Sequence, residues 1–136
     1  MTVLARRPND LFRERFQFDY NHAQLTADET VKLIDATRAG RITRAYYVNP
    51  TGLAEDATNF FAVQLLKGAT VVASYSTDSA GAGTNSIAAD TFTELTLSAT
   101  DADRVFAAGD DLSFKADEGG TATLPPGRLI VEGYYL

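Results

Sequence analysis

The side chains able to do chemistry are few, and their spacing decides against most of it. His22 is the only histidine and the chain has no cysteine. A Ser-His-Asp hydrolase needs a histidine beside its nucleophile. His22 lies between Asn21 and Ala23 at the end of a β-rich run, where it reads as a turn residue rather than a base. No Gly-x-Ser-x-Gly elbow is present. One histidine without cysteine cannot supply a zinc or iron centre, and thiolate nucleophiles and disulfides are removed at the same time. Calcium needs only oxygen, which brings forward Asp101, Asp103, Asp110, Asp111, Asp117 and Glu118. The run beginning at Asp101 then fails, because Val105 and Phe106 stand where an oxygen ligand and a glycine are required. These carboxylates read as solvated turn residues. Gly81 and Gly83 lack the third glycine and the following helix of a dinucleotide loop. No catalytic residue, no metal ligand and no cofactor is expected, so the chain reads as a non-enzyme.

The tyrosines are more informative. Tyr46 and Tyr47 are consecutive, as are Tyr134 and Tyr135. Successive side chains of a strand point to opposite faces, so in each pair only one ring can enter a single sandwich core. The other covers a rim or meets a partner, and aromatic residues are favoured at interface centres. On the closing run, Leu129, Val131 and Tyr135 share one face, while Ile130, Glu132, Tyr134 and Leu136 share the other. Both faces are largely apolar, which suggests that the strand is covered on both sides, the second time by another subunit or a partner. Tyr46, Ile130, Tyr134 and Leu136 are the expected interface residues.

The elements that position these residues are strands. Phe16, Phe18 and Tyr20 alternate with Gln17 and Asp19, the period-two signature of a half-buried strand over residues 11–20. Residues 30–35 and 41–48 give two more, the latter closed by the turn Asn49-Pro50-Thr51-Gly52. Two β-rich runs, 59–66 and 70–76, flank Lys67-Gly68-Ala69 at hairpin spacing. Residues 77–90 are small and polar, too poor in large apolar groups to form core, and read as a long loop. The last forty-six residues give three strands, TFTELTLS, DDLSFKA and GRLIVEGYYL, separated by Phe106-Ala-Ala-Gly-Asp110 and Leu124-Pro-Pro-Gly127. The chain should therefore end inside its own sheet. Eight strands without a helix or internal repeat predict an all-β, single-domain, eight-stranded jelly-roll-like β-sandwich over residues 13–136, preceded by an extended N-terminal arm, residues 1–12.

Composition agrees with one domain. A chain of 136 residues buries an ordinary core without staples. No apolar run reaches the roughly 20 residues that cross a bilayer, so no membrane association is expected. The net charge of -6 is uneven: residues 1 to 44 hold eight basic and six acidic side chains, residues 45 to 136 four and twelve. An acidic body repels phosphate backbones, which argues against nucleic acid as a partner.

Four segments carry a resemblance to a known family: Ala54-Glu-Asp-Ala-Thr-Asn-Phe-Phe-Ala-Val-Gln-Leu65, Thr93-Glu-Leu-Thr-Leu-Ser98, Ala107-Ala-Gly-Asp-Asp-Leu112 and Leu124-Pro-Pro-Gly-Arg-Leu-Ile-Val-Glu132. Over residues 41–136 the chain resembles the small β-sandwich decoration, or cement, proteins that coat the heads of tailed bacteriophages. The resemblance implies a non-enzymatic virion protein on the capsid exterior, made in the host cytoplasm, binding the major capsid protein as a homo-oligomer, with a trimer favoured. It also implies an extended terminal arm, for which Arg6, Arg7, Phe12, Arg13 and Arg15 are the candidate capsid contacts. Two alternatives stay open: a carbohydrate-binding jelly-roll module, which the absence of tryptophan disfavours, and a structural protein of the phage tail or baseplate.

Overall fold

The computed structural model describes residues 14–81 and 85–136. Ten strands run in chain order: β1 (Arg15–His22), β2 (Glu29–Asp35), β3 (Gly40–Val48), β4 (Phe60–Lys67), β5 (Thr70–Ser76), β6 (Thr93–Glu94), β7 (Thr96–Leu97), β8 (Val105–Phe106), β9 (Asp111–Gly119) and β10 (Gly127–Tyr135). They form two antiparallel sheets, ordered β1-β10-β3-β6 with β8 also on β3, and β2-β9-β4-β5-β7. Every connection except the β4–β5 hairpin crosses from one sheet to the other. The rungs β1·β10, β2·β9, β3·β6 and β4·β5 are the nested pairs of a jelly roll. The N-terminal arm expected over residues 1–12, with Arg6, Arg7 and Phe12, lies outside the described residues, as does Arg13.

The period-two pattern sets which faces meet. Ile42, Ala45 and Tyr47 of β3, Leu129 and Val131 of β10, Phe61, Val63 and Leu65 of β4, and Leu112, Phe114 and Ala116 of β9 all point between the sheets and are buried. Burying these side chains is the main favourable term holding the sheets together. The hairpin at Lys67-Gly68-Ala69 is as its spacing demands, with Lys67 opposite Thr70 and Gly68 at a positive φ of 59°.

Two expectations need correction. The strand expected over residues 91–98 is split: Thr93 and Glu94 pair with β3 of the first sheet, whereas Thr96 and Leu97 pair with β5 of the second. Leu95 sits at the crossing with its side chain buried and its N–H bonded to the Ala45 carbonyl at 2.9 Å. A single apolar residue between polar neighbours lets the chain switch sheets while filling the core, which raises the count from eight strands to ten, together with the short β8 where only a turn was expected. The segment 77–90 also contributes core after all. Ile87 is buried and exchanges backbone hydrogen bonds with Leu53 in both directions at 2.8 Å. One β-branched residue among small ones was enough to anchor it.

Candidate interaction face

The chain ends in the middle of a sheet. β10 lies between β1 and β3, and its outward residues face away from the core on the free side of the first sheet. Ile130 stands directly opposite Tyr46 of β3 and Asp19 of β1, and Tyr46 in turn opposite Glu94 of β6. Phe92, 58% exposed, sets its ring edge-to-face on Tyr46 with centroids 6.1 Å apart. Tyr46, Phe92 and Ile130 thus form one apolar patch. Ile130 is only 7% exposed although it lies outside the core cluster, so its neighbours on the outer face already cover it.

Charged groups rim the patch. The Arg44 guanidinium lies 5.6 Å from the Tyr46 ring centroid and 3.6 Å from the Glu94 carboxylate. Glu132 is opposite Arg44, and Arg128 reaches Asp19 at 3.5 Å. An apolar centre with a polar, ion-paired border is the anatomy of a protein interface. Of the four residues expected there, Tyr46 and Ile130 adjoin. Tyr134 shares the face but lies beyond Glu132, opposite Arg15 and Arg41. Leu136 follows the end of β10, 55% exposed, its N–H on the Ala39 carbonyl at 3.1 Å. Arg15 opens β1 and is exposed.

Phe92 was the residue that pattern reading missed. Its run reads in the sequence as one continuous strand, which hides the exposed aromatic just ahead of the sheet switch.

His22 corrects another expectation, since it is a buried group and not an exposed turn residue. It is 4% exposed at the end of β1, its ring stacked between Tyr47 and Phe114 at centroid distances of 5.6 and 5.4 Å. Nδ1 lies 2.7 Å from the Ala23 carbonyl, which can only accept, so Nδ1 carries the proton. Nε2 then accepts from the Tyr47 hydroxyl at 2.6 Å. Burial lowers the imidazole pKa from its ordinary 6.5, against weaker opposition from the Ala23 carbonyl and Glu29. Burial also pushes the Tyr47 phenol up to about 12, with Asn49 pulling the other way. The pair is a satisfied core element, not a nucleophile and its base.

The turn carboxylates are held by donors of the protein itself. Asp101 takes both guanidinium nitrogens of Arg41, at 2.7 and 3.0 Å, and Arg104 at 3.0 Å. The hydrogen bond from Arg41 is the main reason its pKa falls below the ordinary value. Asp103 accepts from Ser98 Oγ at 2.6 Å, and Asp110 from the Ala107 N–H at 2.8 Å. Among the described residues no group of three or more His, Cys, Asp or Glu is placed to hold a metal ion, and no helix is long and apolar enough to cross a membrane.

Fold and face together define an antiparallel jelly-roll sandwich with an apolar, charge-rimmed patch on the outside of one sheet. Comparison of the chain with protein-family models, with curated proteins and with solved structures gives no match.

Proposed function

We propose that this is a non-enzymatic structural protein of a tailed-phage virion that attaches to the assembled capsid and reinforces it. The observation that carries the reading is the Tyr46–Phe92–Ile130 patch on the outer face of the first sheet, where the Phe92 ring, just ahead of β6, meets Tyr46 edge to face. Such a surface suits docking and offers no reacting group. The sequence resemblance supplies the partner, the major capsid protein, and favours a trimer on the capsid exterior. Each contact can be weak, because occupation of many equivalent sites by a multivalent assembly raises avidity without new chemistry.

The test is to mix purified protein with undecorated heads and sediment them. Saturable binding at a fixed ratio to capsid protein is expected, whereas no binding above that of an unrelated acidic domain removes the proposal. The same rings suit a second reading, a sugar-binding platform: Phe92 and Tyr46 offer stacking faces beside the polar Arg44–Glu94 pair. Tight, patch-dependent binding in a glycan screen would put that reading first. A tail or baseplate address would show instead as binding to tails and not to heads.

A further inference from the structure

The open edge of β1 is self-complementary. β1 pairs with β10 on one side and, among the described residues, with no strand on the other. Glu14 stands one residue before β1 and accepts the Tyr135 N–H through its carbonyl at 2.8 Å, so even-numbered residues of the strand turn their backbone groups toward β10. Backbone direction alternates along an antiparallel strand. Arg15, Gln17, Asp19 and Asn21 therefore present their N–H and C=O groups to the open edge. Their side chains are exposed on the outer face of the sheet, whereas Phe16, Phe18 and Tyr20 face inward and are only half-buried.

We propose that a second copy of this chain pairs antiparallel with this edge across a two-fold axis through Gln17. In that register Arg15 lies opposite Asp19 of the other copy, twice by symmetry, and Gln17 lies opposite itself. All three are positions whose backbone groups already point outward, so the two strands exchange hydrogen bonds without shifting a residue. Centring the axis on Asp19 instead sets two carboxylates face to face, which like-charge repulsion disfavours. The inward side gains as well. The paired register places Phe16 opposite Phe18 of the other copy, at the mouth of a cavity of about 270 Å³ between the β1 and β2 edges, lined by Phe16, Phe18, Ile34, Phe106 and Tyr135 together with the polar Asp35, Thr37 and Arg38. The contact is isologous and makes one continuous sheet from two. It does not rest on the capsid reading, and it sets a two-fold dimer against the trimer that the resemblance favours.

The chain has no cysteine, so Gln17→Cys creates a single reporter. Opposed residues of a hydrogen-bonded pair have Cα atoms about 5.5 Å apart, within disulfide reach. With oxidised glutathione, Gln17→Cys is expected to give covalent dimers on a non-reducing gel far faster than Asn21→Cys, which this register keeps apart. Adding Asp19→Arg to Gln17→Cys should slow cross-linking roughly tenfold, since two attractive cross-strand pairs become repulsive. Adding Arg15→Asp as well should restore it by swapping the charges. Equal cross-linking at positions 17 and 21, or a rate indifferent to both charge changes, overturns the proposal. So does Gln17→Cys staying monomeric throughout.

Discussion

His22 and Tyr47 satisfy one another in the core, Nε2 accepting from the Tyr47 hydroxyl at 2.6 Å. Replacing Tyr47 by Phe leaves Nε2 of His22 without its donor in an apolar surround, and should cost about 1–3 kcal/mol in a denaturant titration. The imidazole also sets a pH dependence. Its folded-state pKa lies below 6.5, so between that value and the lowered one the unfolded chain binds a proton that the native chain refuses. Stability should hold above pH 6.5 and fall as the pH drops below it, and His22→Gln should flatten this slope. The carboxylates whose pKa is lowered, Asp35, Asp56 and Asp101, act at more acid pH, below their ordinary 3.8. Gly133 is fixed by close approach: a Cβ there would meet the Arg41 carbonyl and the Phe16 ring. Gly133→Ala should cost about 1–3 kcal/mol by overpacking, read as a lower denaturant midpoint. Single-residue environments of this kind were barely legible in the sequence. Nothing local to Asn21-His22-Ala23 says that Tyr47 and Phe114, far along the chain, close over the ring.

At the scale of elements the sequence was far more transparent, because side-chain alternation is a local property that burial enforces. Phe16, Phe18 and Tyr20 face the core as their spacing requires, and Tyr47 turns inward while Tyr46 turns outward. The turn chemistry of Lys67-Gly68-Ala69 was sufficient to place a hairpin. Alternation failed where the chain changes sheets: around Leu95 the period continues while the pairing partner switches, and no residue type marks the switch. Strand position also predicts unequal protection. β10 and β9 lie inside their sheets with partners on both sides, whereas β1 and β2 lie at edges. In hydrogen exchange, amides of β10 and β9 should open only with global unfolding and those of β2 well before it.

For the whole molecule, strand order was the part that periodicity could not supply, since it depends on which distant segments pair. The nested order β1-β10, β2-β9, β3-β6, β4-β5 now places the chain's end in the centre of a sheet and gives its outer face to Tyr46, Phe92 and Ile130. That face, not a cleft, is the surface on which the capsid reading depends. Substituting Tyr46 and Phe92 together by Ser removes both rings while leaving the core cluster untouched, so the fold should persist. The most direct measurement is sedimentation of this double variant and of the unchanged protein with undecorated heads, after circular dichroism has shown both to be folded. The account predicts saturable binding by the unchanged protein and a loss of at least about tenfold in apparent affinity for the variant, as central aromatic contacts dominate interface energy. Binding of equal strength by both would contradict it.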